Sequence, residues 1–219
     1  IWVTPAPDVP AGERTALDIL AAEITDAVGI ELEYEAAYDW VAFVPRRDDS
    51  AGALTKYFGQ LADTGEYKIR GIEARQRSTP PFVEAVQRDC LDRLGEDQAP
   101  EPVLERLQVA IGRLRAGRVD PDRLTERIRV SKPVDAYTQY THTVAALERA
   151  RDQDLSVHPG QDIAYVVVDD AKASRDRVAL AHEDVDSYDA SYYETQLVRA
   201  VESVLAPLGW DREDIHQWL

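Results

Sequence analysis

The stretch Tyr67–Phe82, YKIRGIEARQRSTPPF, decides how the chain is interpreted, because two kinds of structure meet within it. Its first residues alternate between apolar and basic side chains, which is typical of a β-strand. Gly71 then permits a bend or a close approach of the backbone. The residues Ser78–Pro81, STPP, are typical of a helix start, with a hydroxyl cap and a proline at an early helical position. The sequence therefore predicts a strand-to-helix junction in this segment, which we call the basic strip.

The basic strip reverses the sign of charge in a chain that is acidic overall. It holds Lys68, Arg70, Arg75 and Arg77 but a single acid, Glu73, whereas the whole sequence has 41 acidic and 25 basic side chains. Arginines and free backbone N–H groups at a strand-to-helix junction suit the binding of phosphate groups. The alternative is a solvated surface on which the arginines are paired with neighbouring acids.

Composition places the chain among globular proteins. Its 219 residues fit one large domain or two small ones, and a hydrophobic content of 44% supports a core. The apolar runs are too short for a transmembrane helix, and the sequence shows no signal peptide. Cys90 is the single cysteine, which excludes a disulfide framework and a thiolate metal cluster. We expect a cytoplasmic protein that does not associate with membranes.

The charge balance carries a second expectation. A net charge of −16 is unlike that of a generic nucleic-acid-binding protein. Abundant Asp and Glu beside only four lysines is the balance expected of a halophilic archaeon, since high salt screens the repulsion between an acidic surface and DNA. The alternative is an ordinary acidic cytosolic protein. The sequence starts at Ile1 and contains no methionine, so we expect a cropped, split-gene or processed piece of a longer protein.

The residues before the junction predict a helix and strands. Glu13–Val28 has apolar residues at helical spacing, and Gly29 is suited to end that helix. Ile30–Tyr38, IELEYEAAY, alternates strictly, which predicts a half-buried strand with a row of carboxylates on its other face. Asp39–Val44 is its expected hairpin partner. Further strands are expected at Ile1–Thr4, at Leu54–Leu61 and at Tyr67–Arg70.

The residues after the junction predict mainly helices. Asp120 is a candidate N-cap for one of them. The predicted helices are Phe82–Leu94, Glu101–Arg115, Pro121–Arg127, Thr143–Arg151, Tyr192–Leu205 and Asp211–Trp218, and the predicted strands are Ile128–Val130 and Ile163–Val168. A domain boundary is expected near Ser78. The predicted fold class is α+β, with antiparallel strands and a helix in residues 1–78 followed by a mostly α-helical domain in residues 79–219.

Four segments resemble family B DNA polymerases of the archaeal type, in the same order. The motif KIRGIE with the following STP is similar to the junction between the palm and thumb domains of that family. Three later segments resemble the thumb: Arg127–Ala150, Pro159–Val168 and Tyr188–Trp210. Each match alone is weak, but ordered matches over roughly 190 residues support one another. The resemblance implies that residues 1–78 are the distal part of a palm and residues 79–219 a thumb.

The resemblance also implies contacts with a primer–template duplex during nucleotide addition. These contacts would be sequence-blind, because a polymerase accepts any template. Phosphate contacts are implied for Lys68, Arg70, Gly71, Arg75 and Arg77, thumb contacts for Lys132 and His142, and minor-groove contacts for Lys56 and Tyr57. Leu54 and Thr55 stand where the family has two lysines, and an insertion, Asp48–Gly52, precedes them, so the minor-groove role is alternatively carried by Arg46 and Arg47.

The segment IELEYE resembles the palm strand that lies beneath the polymerase active site. Its last acid, Glu35, would then lie near the magnesium ions. The resemblance places the catalytic D-T-D aspartates just upstream of Ile1, and two metal ions would clamp the attacking and leaving oxygens there. It implies that the complete enzyme uses Mg²⁺ and deoxynucleoside triphosphates, that a sliding clamp is a candidate partner, and that this piece alone is not catalytic. The alternative is a non-catalytic DNA-binding remnant or a split-gene subunit.

Overall fold

The computed structural model describes residue 2 and residues 14–46, 51–95 and 98–219. The predicted strand at Ile1–Thr4 lies outside these residues apart from Trp2, as do Arg47 and most of the insertion Asp48–Gly52. The chain divides into two compact units, Ile1–Val41 with Gly59–Lys68 and Ala42–Phe58 with Ile69–Leu219. The boundary between palm and thumb near Ser78 stays a prediction.

The first helix confirms the helical spacing, but the strand predicted after it is wrong. Helix α1 (Arg14–Val28) ends at Gly29, which has a φ of +69° and donates its N–H to the Thr25 carbonyl at 2.8 Å. The next residues form no strand until Tyr38. Leu32 donates its N–H to the Thr25 hydroxyl at 3.0 Å, so this backbone group bonds to a helix side chain rather than to a neighbouring strand. The alternation of apolar and acidic residues correctly indicates two faces, but a strand also needs a neighbouring strand to pair with, and the pattern does not show whether one is present.

The first sheet contains three strands, hydrogen-bonded in chain order. They are β1 (Tyr38–Pro45), β2 (Gly52–Leu61) and β3 (Tyr67–Arg70). The predictions for Asp39–Val44, Leu54–Leu61 and Tyr67–Arg70 are therefore confirmed as strands. The partner of β1 is β2, not the segment before it.

Three helices of the second unit pack against one another around an apolar core. They are α2 (Pro81–Leu94), α3 (Pro100–Arg115) and α5 (Ala190–Leu205). Their inward faces carry fully buried side chains, including Leu91, Leu104, Leu107, Leu114, Leu197 and Leu205. Burial of each leucine contributes roughly 1.5–3 kcal/mol, so this core holds the helices together.

The start of α2 differs in one respect from the sequence prediction. Pro81 occupies an early helical position, as predicted, but the N-cap residue is Pro80 and it makes no side-chain capping bond. The expected hydroxyl cap by Ser78 or Thr79 is therefore wrong. Both residues precede the cap position, which is too early for their hydroxyls to replace it.

A second sheet lies in the same unit and packs against helix α4 (His142–Asp152). Its strands β4 (Glu126–Arg129), β5 (Asp162–Val167) and β6 (Val178–Leu180) are antiparallel neighbours in that order. Strands β4 and β5 confirm the two predicted strands of this half. The sequence did not indicate β6, because three residues are too few to show a period.

The helix predicted at Pro121–Arg127 is wrong in its length and type. The structure has a 3-10 turn at Pro121–Leu124, after which the chain enters β4. The Asp120 cap is confirmed, since its carboxylate accepts the Asp122 N–H at 3.0 Å. The chain ends in α6 (Arg212–Trp218). This mixture of helices and small antiparallel sheets confirms the α+β class. In the described part of the chain, no helix combines the length and the apolar character needed to cross a membrane.

Candidate nucleic-acid interface

Gly71 fixes where the basic strip leaves the first sheet. Its φ is +72°, a backbone conformation that side chains other than glycine rarely adopt. A Cβ atom at this position would lie 2.1 Å from the Thr55 carbonyl oxygen of β2 and 3.1 Å from Cγ of Lys56. The bend therefore requires glycine twice over, for its conformation and for this close approach. It places Gly71 beside Lys56.

Beyond Gly71 the strip forms a 3-10 turn at Glu73–Arg75. Arg75 donates its N–H to the Ile72 carbonyl at 3.0 Å, and Gln76 donates its N–H to the Glu73 carbonyl at 2.8 Å. Ile72 is fully buried and Glu73 is only 5% exposed, whereas Arg75 is exposed. The turn thus buries Glu73, the one acid of the strip, and leaves Arg75 exposed to solvent.

Ion pairing separates the four basic residues of the strip into two groups. Lys68 donates to the Glu35 carboxylate at 2.5 Å within the first unit, and Arg77 is paired with Asp162. Arg70 and Arg75 are exposed and form no ion pair with any residue that the structure describes. The interpretation as an ion-paired surface therefore applies to Lys68 and Arg77. Arg70 and Arg75 have the free guanidinium groups that phosphate binding requires.

Strand β4 presents two more exposed arginines that sequence reasoning did not select. Arg127 and Arg129 alternate with the buried Glu126, and neither forms an ion pair with the described residues. Arg129 lies directly opposite Asp162 in the β4–β5 pairing, and Asp162 also binds Arg77. Directly opposite residues are about 5 Å apart at Cβ, so this pairing brings Arg129 close to Asp162, the partner of Arg77 in the basic strip. The alternation of residues in ERIR, Glu126–Arg129, is the sequence feature that could have indicated this exposed face.

Two residues assigned to DNA contact have partners inside the protein. Tyr57 is 2% exposed, and its ring centroid lies 5.7 Å from that of Phe43. This burial favours a packing role for Tyr57. The ammonium group of Lys132 lies 4.7 Å above the ring of Tyr137, which holds the side chain near the end of β4.

His142, the first residue of α4, is half-buried among polar and aromatic groups. Its Nε2 lies 2.7 Å from the Asp170 carboxylate, and its ring meets that of Tyr192 edge-on at 5.0 Å. Burial lowers the pKa of His142 and outweighs the opposite effect of Asp170. One ring nitrogen is therefore already engaged with a protein partner, and the imidazole favours its neutral form.

Glu35 is the residue predicted to lie near metal ions. Its side chain is 65% exposed and bonded to Lys68. Within residues 14–46, 51–95 and 98–219, no three His, Cys, Asp or Glu side chains converge as metal ligands would. The described residues therefore do not fit a two-magnesium centre by themselves.

A small cleft of about 180 Å³ lies beside the basic strip in the second unit. Its walls include Glu73, Gln76, Ser78, Thr79, Glu126 and Arg199. Glu126 accepts hydrogen bonds from Tyr192 at 2.6 Å and from Tyr165 at 3.3 Å. Burial raises the pKa of Glu126, although these two hydrogen bonds oppose the shift.

Comparison with known proteins identifies a family for most of the chain. The family model described as DNA polymerase family B matches residues 20–208. A DNA polymerase of Thermococcus kodakarensis is 26% identical over 219 residues, which cover 96% of this chain and 12% of that protein. DNA polymerase 1 of Sulfolobus acidocaldarius is 29% identical over 209 residues, which cover 90% of this chain and 22% of that protein.

A solved structure shares the fold. The family B DNA polymerase from Pyrobaculum calidifontis superposes with a TM-score of 0.59 and 22% sequence identity, over 87% of this chain and 24% of that one. The chain thus spans under a quarter of the length of each of these proteins. Because the family model covers most of its residues, this chain belongs to family B of the DNA polymerases.

Proposed function

We propose that this chain is the distal palm and thumb of a DNA-directed DNA polymerase and that it holds the primer–template duplex during nucleotide addition. The observation that carries the proposal is the exposure of Arg70 and Arg75 without ion-pair partners among the described residues. These groups persist in a family B chain with a net charge of −16, where acids to pair with them are abundant.

The proposed contacts are charge-assisted hydrogen bonds from guanidinium groups to phosphate oxygens. Such bonds fix the position of a duplex without reading its sequence. Arg70 and Arg75 supply the first contacts, and Arg127 and Arg129 extend them along β4. Arg77 would contact a phosphate by exchanging its Asp162 partner, so we expect a smaller contribution from it. We expect a further contact from Lys56, whose Cγ lies 3.1 Å from the position that a Cβ atom of residue 71 would occupy.

The chemistry of nucleotide addition is assigned to the complete polymerase. We expect that enzyme to use deoxynucleoside triphosphates and Mg²⁺, with Glu35 as a carboxylate near the metal site rather than a ligand that holds the metal alone. The contribution of this chain is then to bind the primer–template duplex. The non-catalytic alternative uses the same surface and differs in whether a second polypeptide restores nucleotide addition.

The test is binding of a fluorescein-labelled primer–template duplex, followed by fluorescence anisotropy through a series of KCl concentrations. A chain carrying Arg75→Glu and Arg77→Glu should bind at least about tenfold more weakly, because each charge-assisted hydrogen bond contributes about 1.5–3 kcal/mol. A chain with Arg118→Glu and Arg151→Glu makes the same change in net charge at exposed positions outside the strip and β4.

An equal loss of affinity in this control would show a general charge effect and would overturn the proposed contact surface. No binding by the unchanged, folded chain would overturn the proposed function itself. Addition of the upstream half of a family B polymerase, with Mg²⁺ and deoxynucleoside triphosphates, then tests incorporation. Extension of the primer only in the mixture supports the role as a polymerase part and argues against a DNA-binding remnant.

A further inference from the structure

A buried glutamine of α2 connects the turn of the basic strip to two helices. Gln87 is fully buried, and its Oε1 accepts the Ala74 N–H at 2.6 Å. Its Nε2 donates to the Glu73 carboxylate at 3.0 Å and to the Ala200 carbonyl of α5 at 2.6 Å. One side-chain amide thus joins the 3-10 turn, α2 and α5. Because it is fully buried, Gln87 has no surface with which to touch a ligand.

The carboxylate of Glu73 depends on this amide. Its Oε2 accepts the bond from Gln87, while its Oε1 is buried and has no hydrogen bond within the described part of the chain. The Nε of Arg199 lies 3.8 Å from Oε1, beyond hydrogen-bonding distance, and that arginine is 54% exposed. A buried ionised carboxylate is costly unless it is hydrogen-bonded. Without the Gln87 amide, the favoured outcome is exposure of Glu73 to water.

Exposure of Glu73 would affect the arginines beside it in two ways. The 3-10 turn at Glu73–Arg75 would lose its attachment to α2 and α5, so the backbone that carries Arg75 would lose its fixed position. The released carboxylate would also lie among Arg70, Arg75 and Arg77 and would compete with phosphate for them. Both effects weaken binding of an anion at a distance from the substituted residue.

We propose that Gln87 is a positioning residue for duplex binding: it keeps Glu73 buried, which leaves Arg70 and Arg75 free for phosphate, and it fixes the turn that carries Arg75. This inference rests on the proposed function, because it concerns the same basic strip. It adds a residue that neither the sequence motifs nor the exposed surface indicated.

The experiment compares the salt dependence of duplex binding between two variants with one buried hydrogen-bond change each. Gln87→Leu removes the amide beneath the strip. Tyr193→Phe is the matched control, since the Tyr193 hydroxyl accepts the Val167 N–H at 2.8 Å in the buried second sheet. The logarithm of the binding constant falls with the logarithm of salt by about 0.9 per phosphate contact. We expect this slope to decrease by about one to two in Gln87→Leu and to stay unchanged in Tyr193→Phe.

A second variant keeps the inference testable if Gln87→Leu does not fold. Gln87→Glu retains the size and the acceptor for Ala74 but places a second carboxylate against Glu73. Two facing carboxylates favour sharing one proton, so the defect of this variant relative to the unchanged chain should shrink as the pH falls from about 8 to about 5. A purely structural lesion would give no such recovery of the salt slope.

The outcomes separate this inference from the proposed function. Equal slopes for the unchanged chain and for folded Gln87 variants would overturn the positioning role while leaving the duplex grip intact. Failure of the unchanged chain to bind the duplex would overturn the proposed function, and the positioning role with it. A slope that decreases in the Gln87 variants but not in Tyr193→Phe supports the inference.

Discussion

Tyr192 donates a 2.6 Å hydrogen bond to the Glu126 carboxylate and so joins α5 to the first strand of the second sheet. The other carboxylate oxygen accepts a 3.3 Å bond from Tyr165 of β5. Glu126 is 8% exposed, and burial raises its pKa above the ordinary value for glutamate. Both tyrosines have their own pKa values raised by burial and remain donors at neutral pH.

The raised pKa of Glu126 predicts a stability that depends on pH. A carboxyl with a folded pKa above its unfolded value stabilises the fold below the unfolded pKa, and this contribution is lost as the pH rises through the folded pKa. Glu126→Gln removes the titrating group but keeps an acceptor. We therefore expect the free energy of unfolding of Glu126→Gln, relative to the unchanged chain, to increase between about pH 4.5 and pH 7.

Urea unfolding of both proteins at several pH values measures this difference. The comparison between the two proteins cancels the titration of the other carboxyl groups. A difference that stays constant across this range would show that Glu126 has the same pKa in the folded and unfolded chain.

The second prediction separates the two reasons why Gly71 must be glycine. Gly71→Ala meets an unfavourable φ and a contact at 2.1 Å with the Thr55 carbonyl. Gly117→Ala is a matched control, since Gly117 has a φ of +65° but no atom within 4 Å of its added Cβ. We expect Gly117→Ala to cost about 1–2 kcal/mol from backbone strain alone, and Gly71→Ala to cost clearly more. Urea unfolding measures both, and equal costs would show that the close approach to β2 contributes nothing.

The helices of the second unit were predictable because their information is local. Apolar spacing located α2, α3, α4 and α5 within a few residues, and Asp120 and Gly29 fulfilled their predicted roles at element ends. The strand predicted at Ile30–Tyr38 failed because a strand needs a partner, and alternation carries no information about one. The same limit explains why β6 was missed.

The position of the site was predictable from the sequence, but the ion pairs of its basic residues were not. Sequence located the basic strip but did not distinguish the free Arg70 and Arg75 from the paired Lys68 and Arg77, because Glu35 and Asp162 are far away in the chain. Burial of Tyr57 and of Gln87 likewise depends on contacts that only the fold creates. Arg127 and Arg129 were overlooked because Arg127 was assigned to the end of a predicted helix, and the strand predicted at Ile128–Val130 was not considered for the charges on its exposed face.

The third prediction concerns these two arginines of β4. The double substitution Arg127→Ser and Arg129→Ser should reduce the salt slope of duplex binding by up to about 1.8, which corresponds to two lost phosphate contacts. Arg118→Ser is the control, since Arg118 is exposed and lies after α3 rather than on β4. Anisotropy titrations through a KCl series give the slopes. Equal slopes in the β4 variant and in the unchanged chain would place the duplex away from β4.

The fourth prediction concerns the ion pair between Arg149 of α4 and Glu183. Arg149 donates two hydrogen bonds to this carboxylate, at 2.6 and 2.8 Å, and the pair lowers the pKa of Glu183. A lowered folded pKa gives stability that is present above the unfolded value and lost as the pH falls through the folded value. Glu183→Gln should therefore cost about 1–3 kcal/mol at pH 7 and much less near pH 2.5. Urea unfolding at both pH values tests it, and a cost that does not change with pH would contradict it.

The last prediction uses the single cysteine as a probe of the helical core. Cys90 of α2 is fully buried, and burial raises the pKa of its thiol to about 12. Because the thiolate is the reactive form, iodoacetamide at about pH 8 should leave the folded chain unmodified for hours. The same reagent should modify one thiol per chain in urea, which serves as the positive control. Mass spectrometry measures both. Modification of the folded chain at the rate of an exposed thiol would mean that α2 and α3 do not stay packed. Gln87 of α2 could then not hold the turn of the basic strip in a fixed position.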